Sequence, residues 1–177
     1  MAARGPHHKN PPLAGPRGAR YSVLMMDVHP TMFLPDPQAT QRLAEAFVPL
    51  VRAGDVLLLQ GPIGAGKTHF ARALIHALLP VPEDVPSPTF TLVQVYEAPE
   101  FEIWHADLYR LSGPDEVIEL GLFEAFDTAL CLIEWPEKLG SDRPKAALTL
   151  QFSIEGEGRV VAFQSDDADW RVRLTHV

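Results

Sequence analysis

Eight residues in the first half of the chain, Gly-Pro-Ile-Gly-Ala-Gly-Lys-Thr at positions 61–68, constrain the fold more than any other stretch. They match the pattern G-x-x-x-x-G-K-[ST] at every fixed position. The short apolar run Asp55–Gln60 precedes them and has the composition of a buried parallel strand. After them, apolar residues recur between Phe70 and Leu78 at the spacing of one helix face. A glycine loop between such a strand and such a helix predicts a site for phosphate groups.

The residue types of this loop indicate how it would hold a nucleotide. Gly64 and Gly66 can adopt backbone conformations closed to other residues, so backbone N–H groups can turn inward on a phosphate. Lys67 would reach the terminal phosphates, and the Thr68 hydroxyl would ligate Mg²⁺. Pro62 is an exception, because it has no N–H to offer. We expect these loop residues to contact the nucleotide: Gly61, Ile63, Gly64, Ala65, Gly66, Lys67 and Thr68.

Length and composition indicate one domain of α/β size. The chain has 177 residues, of which 46% are hydrophobic, and this is enough for a substantial core. Its formal net charge of -8 argues against a protein that binds nucleic acid unaided. No apolar run approaches the roughly 20 residues that cross a membrane, so we expect no membrane association. The single cysteine, Cys131, can form no intrachain disulfide, which favours a reducing cytoplasm.

Residues 1–30 differ from the rest of the chain. They carry four basic side chains, one acidic side chain, five prolines and three glycines, and they lack the apolar core of a secretory signal. We expect a disordered tail at 1–30 and a P-loop ATPase domain at 31–177. A basic arm that touches nucleic acid is the alternative for the tail. Because the tail contributes +3 to the total of -8, the domain alone carries -11.

Two acidic residues follow apolar stretches. Ala129–Ile133 is a run of five apolar residues that leads into Glu134, and Phe101–His105 reads as a strand that runs on towards Asp107. In enzymes with a phosphate-binding loop, a carboxylate at such a strand end holds Mg²⁺ directly or through water. We therefore predict that Glu134 is a metal-side residue together with Thr68, with an exposed acid at a strand end as the alternative. Asp107 lies where doubly wound sheets place catalytic groups.

Three hydroxyl side chains, Ser87, Thr89 and Thr91, precede the next predicted strand. One interpretation is an ordinary turn. The other is a switch segment that senses the terminal phosphate or its metal. A lone histidine such as His105 is more often a structural hydrogen-bonding group than a catalyst. Arg110 could be a surface charge, the partner of an acid or a phosphate reader.

The remaining patterns predict helices and strands without evident chemistry. Asp36-Pro37 is a good helix start, with an acid at the N-cap and a proline at the first helical position, and Pro49 should end that helix or kink its last turn. Two short helices are predicted, one within Ser112–Gly121 and one near Leu122–Phe126. C-terminal strands are predicted at Ala147–Ile154, Arg159–Gln164 and Trp170–Leu174, with a hairpin connection at Gly156–Gly158.

Five segments of the chain occur together, in this order, in one family. They are Gly61–Thr68, Ser87–Leu92, His105–Arg110, Glu116–Gly121 and Leu132–Pro136. In this set the chain resembles the bacterial TsaE (YjeE) ATPases, in register from about Leu34 to Gly140. The fold expected from the resemblance and the patterns is an α/β, three-layer P-loop NTPase fold with a mostly parallel sheet and C-terminal antiparallel strands.

The resemblance also implies an activity. TsaE proteins are ATPases that work with TsaB and TsaD, which install threonylcarbamoyl on a tRNA adenosine next to the anticodon. By that likeness the cofactors are ATP and Mg²⁺, and tRNA is reached only through the partner complex. The implied site residues are Lys67 and Thr68 on the phosphates and Mg²⁺, Glu134 on the metal side, Asp107 near the γ-phosphate, Thr91 in a switch-like segment and Trp135 beside the site. Asp107 is our candidate to orient the attacking water.

The chain departs from the family's pattern at three positions. Family members commonly have Asp where this chain has Pro62, often have an aromatic residue or Met at the position of Ala106, and often have a second Thr at the position of His69. The first departure changes a contact that anchors the loop, and the second changes packing. None of them removes a group that the chemistry needs.

Two other functions stay open from the sequence. A small-molecule P-loop kinase would need basic residues on a lid over the phosphates. After Thr68 the chain has few arginines and no paired cluster until Arg171 and Arg173, which counts against a kinase. A non-catalytic nucleotide-dependent interaction protein would use the same loop without turnover.

Overall fold

The structure is a computed structural model that describes residues 30–177. The strands within them are β1 (Thr31–Leu34), β2 (Val56–Gln60), β3 (Val93–Glu97), β4 (Glu102–Asp107), β5 (Leu130–Glu134), β6 (Leu148–Glu155) and β7 (Gly158–Gln164). The helices are α1 (Pro37–Phe47), α2 (Lys67–Leu78), α3 (Pro114–Ile118), α4 (Leu122–Ala125) and α5 (Ala168–Arg173), with 3-10 helices at Pro136–Asp142 and Leu174–His176. The predicted tail at 1–30 lies outside the described residues except for Pro30. None of the described helices is long and apolar enough to cross a membrane.

All seven described strands form one sheet in the order β1-β7-β6-β2-β5-β4-β3. The central pairs β6/β2, β2/β5 and β5/β4 are parallel, whereas the outer pairs β1/β7, β7/β6 and β4/β3 are antiparallel. The sheet is therefore mixed rather than mostly parallel. For β3/β4 and β6/β7 the reason is local, since short connections can join only antiparallel strands. The predicted hairpin connection is confirmed, because Glu155 pairs with Gly158 across the turn at Gly156 and Glu157.

Side chains alternate across the sheet and bury two separate apolar clusters. On β2, Leu57 and Leu59 join the cluster that includes residues of α1 and α2. Val56 and Leu58 join the cluster that includes residues of α3 and α4. All four side chains are buried, which explains why the sequence of β2 is a continuous apolar run. Helices therefore pack on both faces of the central strands, giving three layers.

Helix α1 begins where the sequence predicts. The Asp36 carboxylate accepts a hydrogen bond from the Ala39 N–H at 2.7 Å, and Pro37 occupies the first turn, where a missing N–H costs nothing. The helix packs on α2, with the ring centroids of Phe47 and Phe70 5.5 Å apart in an edge-to-face arrangement. This packing holds α2, and with it the glycine loop that precedes α2, against the sheet.

The strand predicted at Trp170–Leu174 is wrong, because this part of the chain forms helix α5 and the start of a 3-10 helix. Apolar and basic residues alternate there, which is the pattern of a strand. The Asp167 carboxylate, however, caps a helix by accepting a hydrogen bond from the Asp169 N–H. In the helix Trp170 is 1% exposed while Val172 is 65% exposed. A strand would place both side chains on one face.

An ion pair anchors α5 to the residue that precedes β2. Arg173 donates to both carboxylate oxygens of Asp55, at 2.6 and 3.0 Å, and to the Leu50 carbonyl at 2.6 Å. Its guanidinium also lies 3.5 Å from the centroid of the Trp170 ring. Because Asp55 is buried, the guanidinium offsets part of the cost of removing its carboxylate from water.

We expect Arg173→Ala to lower the free energy of unfolding by about 3 kcal/mol, because it removes the guanidinium that contacts both oxygens of a buried carboxylate and leaves that carboxylate only its contacts with Arg52. Arg171→Ala is the matched control, since Arg171 is exposed on the same helix. It should change the free energy of unfolding by less than about 0.5 kcal/mol. Urea unfolding of the two variants measures the difference. Equally small effects would contradict an anchoring role for the pair.

Candidate nucleotide-binding site

The strand register brings the two predicted acids together at one edge of the sheet. Asp107, the last residue of β4, pairs with Glu134, the last residue of β5. Glu134 also pairs with Leu59 of β2, and the glycine loop begins directly after Gln60, where β2 ends. The carboxyl ends of three neighbouring parallel strands therefore meet here. Open α/β sheets form binding sites at such an edge.

Side-chain alternation directs the acids to the face that packs against α2. Ile103 on β4 and Leu132 on β5 point into the apolar cluster that includes residues of α1 and α2. His105 and Asp107 follow Ile103 by two and four residues, and Glu134 follows Leu132 by two residues, so all three share that face. Helix α2 begins at Lys67 on the same face, so the loop, the acids and the histidine converge.

The glycine loop has the backbone conformation that its sequence predicts. Gly61, Gly64 and Gly66 have φ angles of 140°, 76° and 105°, values that favour glycine over any other residue. Gly61 also lies against β6, because a Cβ added there would be 2.3 Å from the carbonyl oxygen of Phe152. Among the other loop residues, Ala65 is buried and Ile63 is 70% exposed.

Lys67 lies at the centre of the loop. Its ammonium donates to the carbonyl oxygens of Gly61 and Pro62 at 2.7 and 2.9 Å, and it lies 4.0 Å from the ring centroid of Trp135. Pro62, which cannot donate, thus serves the loop through its carbonyl group. Burial lowers the pKa of Lys67 below its ordinary value of 10.5, and nearby carboxylates, with Glu134 the strongest, oppose this shift.

Hydrogen bonds link the loop to β5 and β4. The Thr68 hydroxyl donates to Oε2 of Glu134 at 2.8 Å, and Nε2 of His105 lies 2.9 Å from Oε1. Glu134 and His105 are 2% and 0% exposed. A carboxylate only accepts, so the imidazole donates, and both oxygens of the buried acid are satisfied. His105 thus acts as a hydrogen-bond donor to Glu134 in the structure. Thr68 is the donor in its hydrogen bond to Glu134, so this bond does not occupy the lone pairs of the Thr68 oxygen.

Asp107 is connected to the segment that precedes β3. Its Oδ2 accepts a hydrogen bond from the Thr89 hydroxyl at 2.8 Å, and its Oδ1 accepts one from the Tyr109 N–H at 3.0 Å. Ser87 Oγ lies 2.8 Å from Thr89 Oγ1. Thr91, the residue expected from the resemblance, is exposed. The side chain that reaches Asp107 from this segment thus belongs to Thr89, a contact that the sequence did not indicate.

Trp135 lies beside the loop, in a turn with a strained backbone conformation. Its φ angle is 59°, a left-handed conformation that is uncommon for a bulky residue. The turn follows Glu134 directly and places the indole between two neighbours. One is the Lys67 ammonium, and the other is the Tyr109 ring, whose centroid is 4.8 Å away. The indole therefore covers the lysine on one side of the loop.

A cavity of about 230 Å³ opens beside the loop, between the start of α1 and the β6–β7 hairpin. Its lining includes Asp36, Pro37, Gly64, His69 and Arg159. Arg159 donates to the Gly64 carbonyl at 3.2 Å, and Nε2 of His69 lies 3.0 Å from the Pro37 carbonyl oxygen. The sequence did not indicate Arg159, because nothing within β7 marks a residue that meets the loop.

A model of the protein family described as "Threonylcarbamoyl adenosine biosynthesis protein TsaE" matches residues 34–161, which is more than half of the chain. The chain belongs to the TsaE family. The resemblance inferred from five short segments is therefore confirmed, and the family match extends beyond them into the C-terminal strands.

Individual proteins support the same assignment. The tRNA threonylcarbamoyladenosine biosynthesis protein TsaE of Rickettsia bellii is 44% identical over 100 residues, which are 56% of this chain and 69% of that protein. The protein of the same name from Treponema pallidum is 34% identical over 122 residues, 68% of this chain and 89% of that protein. The crystal structure of Bacillus subtilis YdiB has a TM-score of 0.70 at 25% identity and covers 83% of this chain and 92% of its own.

The residues at this edge fit a nucleotide phosphate and a divalent cation. The loop offers backbone N–H groups and one ammonium, and Thr68 and Glu134 offer the oxygen ligands that Mg²⁺ prefers. Within residues 30–177, no group of three or more His, Cys, Asp or Glu side chains could hold a metal ion alone. A cation bound here would therefore take its other ligands from phosphate and water, as Mg²⁺ does in nucleotide sites.

We expect Gly61→Ala to destabilise the whole fold, because its Cβ would collide with the backbone of β6. The cost should exceed the roughly 1–2 kcal/mol of a non-glycine residue in a left-handed conformation. Gly64→Ala is the matched control, since an added Cβ there meets nothing within 4 Å. It should cost only the conformational strain. Thermal unfolding measures both variants; equal shifts of Tm would show that contact with β6 does not require glycine at 61.

Proposed function

We propose that the chain is a Mg²⁺-dependent ATPase that supports threonylcarbamoylation of a tRNA adenosine next to the anticodon. It does so by acting on a partner complex of TsaB- and TsaD-type proteins. The observation that carries this proposal is the grouping of Lys67, Thr68, Glu134 and Asp107 around one glycine loop, in a chain of the TsaE family. The ligands of the site are then ATP and Mg²⁺.

The glycine loop and Lys67 bind the triphosphate. Backbone N–H groups of the loop and the amino terminus of α2 provide positive potential without side-chain charges. The Lys67 ammonium exchanges its contacts with the Gly61 and Pro62 carbonyls for phosphate oxygens. The Trp135 indole shields one side of the ammonium from water, which strengthens its attraction to the phosphates.

Thr68 and Glu134 hold the metal side of the nucleotide. Mg²⁺, when bound, neutralises charge on the β- and γ-phosphate oxygens. The Thr68 hydroxyl offers its lone pairs while its O–H stays directed at Glu134. The hydrogen bond from His105 fixes the orientation of the Glu134 carboxylate, which acts directly or through water. Both carboxylate oxygens of Glu134 are therefore held by neighbours before any ligand arrives.

Asp107 orients the attacking water. It is the second buried carboxylate at this edge and pairs in register with Glu134. In-line attack forms a bond between the water oxygen and the γ-phosphorus while the bond to the β–γ bridging oxygen breaks, giving ADP and inorganic phosphate. Positioning and charge neutralisation supply the catalysis. Residues 87–91, including Thr91, act as a switch segment that responds to the γ-phosphate.

Charge favours an indirect route to tRNA. Residues 31–177 carry a formal charge of -11, which opposes the phosphate backbone of tRNA and favours contact through other proteins. A small-molecule kinase would need basic residues over the phosphates, and Arg171 and Arg173 were the paired arginines of the sequence. Arg173 instead binds Asp55, which lies at the opposite end of β2 from the glycine loop. A cytoplasmic location agrees with the single cysteine, Cys131, which can form no intrachain disulfide.

We expect Lys67→Ala to abolish measurable ATP affinity while the fold is retained, because Lys67 is the cation at the centre of the loop. Lys145→Ala is the matched control, since Lys145 is exposed and lies beside Gly54, near the amino-terminal end of β2 and away from the glycine loop. Isothermal titration with MgATP should show wild-type affinity for this variant. Unchanged affinity in Lys67→Ala would refute the assignment of the loop.

Hydrolysis should be slow in the isolated protein and should rise when TsaB- and TsaD-type partners are added. The physical reason is that a site of this kind positions water poorly until its switch segment is ordered, and a partner can order it. Steady-state ATPase rates would be measured with the protein alone, with each partner, with both, and with both plus tRNA. Glu134→Gln serves as the inactive control. Full turnover without partners would contradict the proposal, and phosphate transfer to a small metabolite would favour a kinase.

A further inference from the structure

Thr89 connects residues 87–92 to the candidate site through a directed hydrogen bond. Its Oγ1 lies 2.8 Å from Oδ2 of Asp107 and 2.8 Å from the Ser87 hydroxyl. Because a carboxylate only accepts, the single proton of Thr89 points to Asp107, and Ser87 donates to Thr89. The order of donation is therefore Ser87 to Thr89 to Asp107.

The segment around Thr89 is a closed turn whose far end also meets Asp107. The Leu92 N–H donates to the Pro88 carbonyl at 2.7 Å, and the Leu92 carbonyl accepts from the Asp107 N–H at 2.9 Å. Leu92 has a φ angle of 67°, so the chain leaves the turn in a left-handed conformation. The backbone and the side chain of Asp107 are thus both bound to this turn, the side chain through Thr89.

The outer side of the turn faces solvent. Phe90, the next residue after Thr89, is 86% exposed. Arg110, for which the sequence left three roles open, is exposed and lies with its guanidinium 5.8 Å from the Phe90 ring centroid. In this turn the Thr89 hydroxyl is therefore directed inward to Asp107, and the side chain of Phe90 is directed outward.

The orientation of the Asp107 carboxylate depends on this inward hydroxyl. Its Oδ1 accepts from the Tyr109 N–H, a group of its own loop, and its Oδ2 accepts from Thr89. Without Thr89 the Oδ2 atom loses its donor, and the plane of the 5% exposed carboxylate is held at one oxygen only. A displacement of the turn would therefore reorient Asp107 without moving Lys67 or Thr68.

We propose that Thr89 is the positioning residue for Asp107, and that its hydroxyl couples the carboxylate to the conformation of residues 87–92. The inference deepens the proposed ATPase function and rests on it. It assigns to Thr89 the switch role that the family resemblance gives to Thr91. Turnover then depends on the position of the turn, whereas nucleotide binding does not.

The first test separates turnover from binding. Thr89→Val keeps the shape of the side chain and removes the hydroxyl, and Thr89→Ser keeps the hydroxyl. With partner proteins and MgATP, Thr89→Val should lower kcat by roughly tenfold or more with KM unchanged, as expected for a lost hydrogen bond to a charged group. Thr89→Ser should retain kcat, and Thr128→Val, at an exposed threonine between α4 and β5, is the matched control.

Thr91→Val distinguishes the two threonines of the segment. A fall in kcat with Thr91→Val and none with Thr89→Val would overturn the proposal and return the switch role to Thr91. A rise in KM with kcat intact in Thr89→Val would also overturn it, because a purely structural contact would then explain the result. If Thr89→Val does not fold, Thr89→Ala removes the same hydroxyl; it should lower kcat in the same direction, and an unchanged kcat would overturn the proposal.

The second test does not depend on turnover. Hydrogen–deuterium exchange of peptides covering residues 87–92 should be faster in Thr89→Val than in the wild type, and unchanged in Thr89→Ser and Thr128→Val. Unchanged exchange in Thr89→Val would show that the hydroxyl does not hold the turn. A wild type that hydrolyses no ATP under any condition would refute the proposed function, whereas the exchange result still decides whether Thr89 holds the turn.

Discussion

The candidate site depends on the register of three parallel strands. Leu59, Glu134 and Asp107 lie in line across β2, β5 and β4. Because side-chain direction alternates along a strand, a slip of one residue would turn an acid into the apolar cluster on the other face. A carboxylate there would be buried without hydrogen-bond partners, which is costly. The apolar residues that specify the register therefore also set the distance between the two acids.

Local patterns in the sequence predicted the parts of the site that a single segment determines. The glycine loop carries its own signal, as do the apolar run before Glu134 and the helix cap at Asp36. Each depends on neighbours in sequence, such as a strand before a turn or an acid before a proline. The contacts Thr89–Asp107 and Arg159–Gly64 join separate segments, and no short-range pattern predicts them.

The fold, too, has parts that local sequence patterns predict and parts that only contacts between distant segments determine. The edge strand β1 was not expected from the sequence, because only its pairing with β7 defines it. At the C-terminus, alternating apolar and basic residues fit a strand as well as a short helix. Contacts with distant residues stabilise the helix, since Trp170 is buried in the core and Arg173 binds Asp55. The antiparallel C-terminal strands were expected and occur at β6/β7, but the antiparallel pairs β3/β4 and β1/β7 were not expected. The glycine loop and the acids constrain only the central parallel strands, so they carry no signal for the direction of the outer ones.

Charge balance explains why the proposed nucleotide and cation belong together. The Lys67 ammonium lies near the carboxylates of Glu134, Asp107 and Glu137, so negative side chains outnumber it. A triphosphate alone would add charge of the same sign as these acids, and two unit charges 4 Å apart repel by about 4 kcal/mol at an effective dielectric constant of 20. A divalent cation held by Thr68 and Glu134 would offset the charges of both the acids and the phosphates. The carboxylates that disfavour binding of free ATP would therefore favour binding of its magnesium complex. A loop of glycines suits such a site, because its N–H groups bind phosphate without placing further charged side chains beside the metal.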